Sequence, residues 1–105
     1  MDLLARLQAW YRSNCDGDWE HTYGIQIENL DNPGWHLSVD IEEIDADEMT
    51  FVPVEVHHSA EDWYQCFLRD GKFKGYGGAQ NLTDLLRTFL EWADRADVGK
   101  DSAPI

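Results

Sequence analysis

Cys15-Asp16-Gly17-Asp18-Trp19-Glu20-His21 brings three carboxylates, a thiol, an imidazole and an indole into seven consecutive residues. Hard divalent cations want clustered carboxylate oxygens, so Asp16, Asp18, Glu20 and His21 are candidate metal ligands. Cys15 or Cys66 with His21 would supply the thiol and base of a nucleophilic pair. Neither chemistry is complete. The spacing Asp-Gly-Asp-Trp-Glu lacks the twelve-residue calcium loop with its central Gly and terminal Glu. No oxyanion-hole element or orienting third residue accompanies the cysteines, so a buried structural thiol is the simpler reading. Asp and Asn next to a helix end also form local turns and caps.

Two other groups have ligand-type residues. His57-His58 with Glu55 lies on a predicted strand, where neighbours point to opposite faces. Both imidazoles reach one ion only if the strand ends there, and solvated surface is the plainer reading. Gly75-Tyr76-Gly77-Gly78 precedes a helix, a place where anions bind. It follows no parallel βαβ unit and lacks the Lys-Ser/Thr of a phosphate loop, so it reads as a glycine turn permitting close backbone approach.

The elements that position these residues follow from periodicity. Leu3, Leu4, Leu7, Trp10 and Tyr11 recur at helical spacing and predict an amphipathic helix over residues 2–13. From Thr22 the period becomes two, with Tyr23, Ile25 and Ile27 on one side of a half-buried strand. Pro33 and Gly34 at the second and third turn positions suggest a type II turn, in which glycine takes positive φ cheaply. Trp35, Leu37, Val39 and Ile41 alternate again, closing a hairpin. Residues 42–49 hold five carboxylates and read as an exposed loop. A third strand is expected at about 51–57, with Pro53 marking an edge or bulge. Residues 63–69 and 72–76 form a fourth and fifth strand around the Asp70-Gly71 turn. Asn81 then caps a second helix with Leu82, Leu85, Leu86, Phe89 and Trp92 as its apolar stripe, ending near Asp94. Trp10 and Trp92 belong to the core and Trp35 and Trp63 to strands. Trp19, set among carboxylates, is expected partly exposed as an interface anchor.

The chain has 105 residues, 8 Lys and Arg against 21 Asp and Glu, and a formal net charge of −13. Such a charge repels nucleic acid and anionic membrane and speeds encounter with a basic protein, although acidity also serves solubility alone. With 43% hydrophobic residues and five Trp it is no disordered acidic tail. No apolar run or basic N-terminal segment suggests a membrane span or secretory signal. Two cysteines fit free thiols in a reducing cytoplasm.

The pattern Trp10-Tyr11, Cys15 to His21, Gly24-Ile25, Leu30-Asp31-Asn32-Pro33-Gly34-Trp35, Trp63, Gly75, Gly77-Gly78, Asn81-Leu82 and Trp92 resembles the immunity protein 53 family. The resemblance runs from about Leu7 to Trp92 and implies a small cytosolic protein of a bacterial polymorphic toxin system. Such a protein binds and neutralises a cognate toxin. It brings no catalytic or ligand residues with it.

The expected fold is α+β: an antiparallel sheet of about five strands, flanked by an N-terminal and a C-terminal helix packed on one face. Residues 1–97 form a single domain and 98–105 a flexible tail. The expected function is neutralisation of a cognate toxin domain, such as a nuclease, by acidic-surface occlusion of its basic site, carried out by a cytoplasmic protein without catalysis or cofactor. The expected contacts are Asp16, Asp18, Trp19, Glu20, Asp31, Glu42, Glu43, Asp45, Asp47 and Glu48, with Cys15 and Gly17 structural. The alternative is a small metal-binding domain or metal-dependent enzyme using Asp16, Asp18, Glu20 and His21. A third reading makes the acidic motif a structural keystone, its carboxylates capping the second helix or holding the sheet end rather than touching a partner.

Overall fold

In the computed structural model, which describes residues 2–31, 33–41 and 51–96, the first helix is α1 (Leu3–Asn14). Asp2 stays outside it as the cap, its carboxylate accepting the Ala5 N–H at 2.7 Å. Leu7 and Trp10 turn inward, and Arg12 sits in the last turn, where a cation complements the helix dipole. The connection that follows is not plain coil. It contains one helical turn, α2 (Trp19–Thr22), so the next strand starts later than the alternation from Thr22 suggests.

That strand is β1 (Ile25–Leu30), paired antiparallel with β2 (Gly34–Asp40). After it come β3 (Val54–Ser59), β4 (Asp62–Arg69) and β5 (Lys72–Gly77). All neighbours are antiparallel, in the spatial order β1-β2-β5-β4-β3. β5 thus inserts between β2 and β4, and β1 and β3 form the two edges. The third strand begins at Val54 rather than Phe51, because Pro53 has no N–H for a ladder. Asp70 (φ 54°) and Gly71 (φ 75°) are both left-handed, the geometry of a tight two-residue hairpin turn. The acidic segment 42–49 and the tail 98–105 lie outside the described residues.

The second long helix, α3 (Leu82–Ala96), lies over β2, β4 and β5 and packs beside α1, so both helices cover one face of the sheet. Asn81 stands just before α3 and ties it to the sheet. Its Nδ2 donates to Asp62 Oδ1 (3.0 Å) and Asp84 Oδ2 (2.8 Å), while its Oδ1 accepts the Trp63 N–H (3.3 Å). The core between the layers holds Leu37, Val39, Phe73, Leu85, Phe89 and Trp92, all fully buried. Each such side chain contributes about 1.5–3 kcal/mol through burial. The rings interlock: Trp10 meets Phe89 at 4.9 Å and Phe73 meets Phe89 at 5.0 Å, both edge to face.

The first hairpin corrects the type II turn. Leu30 pairs with Gly34, so Gly34 is a strand residue. Among the described residues positive φ occurs only at Gly17, Asp70 and Gly71. Gly34 is glycine for a different reason: a Cβ there would lie 2.3 Å from the Gly77 carbonyl oxygen of neighbouring β5. Since backbone cannot yield as a side chain can, Gly34→Ala is expected to lower stability by about 1–3 kcal/mol, the usual cost of overpacking. Denaturant unfolding checks this; an unchanged midpoint would show that the strands separate freely at this point.

Candidate functional site

The acidic motif folds back on itself. Cys15 ends α1, its N–H donating to the Arg12 carbonyl and its thiol to the Tyr11 carbonyl at 3.3 Å. Gly17 then takes φ +91°, a conformation that costs other residues strain. Asp16 Oδ1 accepts the N–H groups of Asp18 and Trp19, both at 3.0 Å. Glu20 reaches the other way, accepting the Asp16 N–H at 3.0 Å and the Gly17 N–H at 2.8 Å. Two carboxylates thereby satisfy four backbone donors reciprocally, the logic of a capping box. Hydrogen bonds from its own backbone, and from Gly17 and Asp16, hold the Glu20 carboxyl below its ordinary range against the opposing effect of burial.

This geometry moves one expected site residue. Trp19 is not an exposed anchor; it is only 3% exposed. The helical turn of α2 carries its indole inward, edge-on to Trp10 (6.0 Å) and Tyr11 (5.9 Å) and stacked near Tyr23 (6.5 Å). The indole N–H has no hydrogen-bond partner among the described residues, a cost that burial of the ring system offsets. Asp18, His21 and Asp31 are exposed, and Glu20 is half-buried. Glu42, Glu43, Asp45, Asp47 and Glu48 lie outside the described residues.

The ligand and nucleophile chemistries can be placed in the same terms. Asp16 and Glu20 spend carboxylate oxygens on backbone N–H groups, and no cluster of three or more His, Cys, Asp or Glu suited to a metal occurs among the described residues. His57 and His58 are both exposed, where the β3 register shifts between His57 and Ser59. Cys66 is buried at 1% exposure, and its thiol is pushed up to about 12, chiefly by that burial. A hydrogen bond with Thr88 lowers it and the nearby Asp84 charge raises it further. At neutral pH Cys66 is therefore a thiol, which is a poor nucleophile.

Three surfaces emerge that motif reading did not show. The helix-free face of the sheet carries an aromatic row, His36 stacked on Tyr76 at 4.4 Å and Tyr76 on Phe67 at 6.1 Å, with Arg69 5.9 Å over Phe67. Asp40 crosses this face to Lys72 and also fixes the Gly24 N–H. At one end, Ser59, Glu61, Asp62, Gln80, Asn81 and Asp84 line an acidic cleft of about 480 Å³. Beside β1, an apolar groove of about 410 Å³ runs between α1 and the strand, lined by Leu7, Gln8, Tyr11, Gly24 and Ile25. Alternation marks the side chains of each strand. Only the strand order reveals which ones become neighbours.

The Glu20 grip has a measurable signature. A carboxyl held below its ordinary value of 4.5 adds stability that is full above that value and is lost as pH falls below it. Glu20→Gln is expected to melt below the native protein at neutral pH, with the gap closing as the solution is acidified below 4.5. Thermal melts across that range check it; a gap independent of pH would contradict a grip by the charged form.

Among comparisons with known proteins, no curated protein and no solved structure was found to match the chain. No helix among the described residues is long and apolar enough to cross a membrane. The family model described as immunity protein 53 matches residues 4–94, which takes in α1 from Leu4, the acidic junction, all five strands and α3 as far as Asp94. With most of its length inside that match, the chain belongs to the immunity protein 53 family.

Proposed function

We propose that this protein binds and neutralises a cognate toxin domain of a bacterial polymorphic toxin system, by contact alone and without chemistry of its own. Family membership over residues 4–94 carries this reading. The formal charge of −13 supports a basic partner surface, because complementary fields steer encounter and suppress wrong partners. A toxin acting on nucleic acid has such a surface, and an acidic domain occupies it as a mimic of phosphates. In this reading Asp18 and Asp31 are exposed rim charges, joined by Glu42, Glu43, Asp45, Asp47 and Glu48. Asp16 and Glu20 add to the field while their oxygens hold backbone. Neutralisation takes place in the cytoplasm of the producing cell.

The test begins with the gene immediately upstream, where a large secreted protein with a variable C-terminal domain is expected. Expressing that domain alone should arrest growth, and expressing it with this protein should restore growth and yield a complex. Raising salt until the screening length falls to about 3 Å should slow association at least ~10-fold. Unrelieved toxicity with no complex would overturn the immunity reading. A salt-independent rate would overturn its electrostatic part.

A further inference from the structure

We propose that the free edge of β1, with the apolar groove beside it, receives an extended cationic segment of the toxin as an added strand. The inference rests on the immunity reading and specifies the surface that does the binding. β1 pairs only with β2, which leaves its outer edge unpaired among the described residues. The phase of that edge follows from register. The Gly24 carbonyl accepts the Asp40 N–H at 3.0 Å, so Gln26, Glu28 and Leu30 turn their backbone groups toward β2. Ile25, Ile27 and Asn29 therefore point N–H and C=O outward, a template for strand addition.

The side chains agree with the backbone. Ile25 and Ile27 stand opposite Val39 and Leu37, on the helix-bearing face, and the groove opens there beside Tyr11. Leu4, Tyr11 and Ile27 remain 58%, 40% and 39% exposed; Ile27 belongs to this edge strand and Tyr11 lines the groove beside it. Leu4 and Tyr11 are two turns apart on one face of α1. A strand laid along β1 would drop alternate side chains over them.

The two edges of the sheet are also treated differently. Natural edge strands are blunted with Lys, Pro or bulges against unwanted pairing. β3 has Pro53 immediately before it and a register shift at His57/Ser59. β1, Ile-Gln-Ile-Glu-Asn-Leu, has neither. It is left competent to pair.

Charge selects the occupant. Between Arg12 and Arg69 the chain has no Lys or Arg, yet it holds fourteen of the 21 Asp and Glu. The whole β1–β2 hairpin lies in that cation-free stretch, with Glu28 on β1 and Asp31 just after it. A second copy would bring a chain of the same net charge, −13, against this one. A cationic segment with apolar residues at alternate positions meets both features, and one from the toxin is the occupant assigned here.

Residue-resolved amide exchange on the full-length protein, with and without the upstream-encoded toxin domain, tests this. In the free protein Gln26 and Glu28 should exchange slowly, and Ile25, Ile27 and Asn29 fast. Adding the toxin domain should slow those three selectively. Ile27→Pro removes an outward N–H without touching the β2 ladder, and Ile27→Lys puts a charge on the helix-bearing side of the edge. Each should weaken toxin binding by about 100-fold or more while the protein still melts cooperatively. If the three amides are already slow in the free protein, whether from self-pairing or from the chain's own residues, the edge is occupied and the inference is overturned. Native-strength binding by both folded variants, with no slowing at those amides, would overturn it too while leaving the immunity reading intact. A wild-type protein that neither binds nor protects would instead defeat the immunity reading.

Discussion

The reciprocal grip of Asp16 and Glu20 on four backbone N–H groups is the constraint from which the rest of the structure follows. Where α1 stops, the chain must turn toward the sheet with its amides satisfied, and two carboxylates accomplish this in five residues. The turn so fixed places Trp19 under α1, against Trp10. From Trp10 the aromatic contacts continue through Phe89 to Phe73, and from Phe73 to Phe51 at 5.4 Å and on to Trp92 at 5.5 Å. Both helices and the central strand are thus registered by one chain of rings that starts at the junction. The surface ion pair of Arg6 with Asp94, 2.9 Å across the two helices, adds little by comparison because Asp94 is largely solvated.

Much of this was legible in the sequence, for reasons specific to each element. Helical spacing in Leu3 to Tyr11 and Leu82 to Trp92 reports burial along one face, and period-two alternation reports the strands. Asp70-Gly71 could be read because left-handed backbone admits few residue types. The sequence suggests a partly exposed Trp19, because its carboxylate neighbours look like solvated surface, yet the ring is buried. Two of those neighbours, Asp16 and Glu20, face backbone N–H groups instead, which no periodicity reveals. Pro-Gly usually marks a turn, which is why Gly34 reads as part of one in sequence. Its actual constraint is a carbonyl 43 residues away in sequence, on β5. The insertion of β5 between β2 and β4 is a non-local choice of the same kind, and it determines the aromatic row on the helix-free face.

Function divides along the same lines. A family assignment gives the kind of partner, and the structure distinguishes carboxylates that hold the chain from those left to act at a distance. Asp16 and Glu20 are of the first kind; Asp18 and Asp31 are exposed, and in the proposed reading they are of the second. Long-range charge accelerates encounter but gives limited discrimination once solvent is excluded. Specific affinity requires desolvated apolar contact, and on the described surface Leu4, Tyr11 and Ile27 offer it beside an unpaired strand. In the proposed complex the acidic field and the apolar edge would act as complementary devices.

The division between holding and binding is tested most directly by Asp16→Ala, followed by thermal melting and by toxin affinity measured well below the melting range. A structural junction predicts a loss of about 1 kcal/mol, the usual value of a side-chain cap, which in a chain of this size lowers the melting temperature by about 4–8 °C. Affinity for the toxin domain should then stay within about 2-fold of the native protein, since one charge among many is lost. An unchanged melting temperature together with a tenfold or greater loss of affinity would contradict it, and would make the acidic motif the contact surface after all.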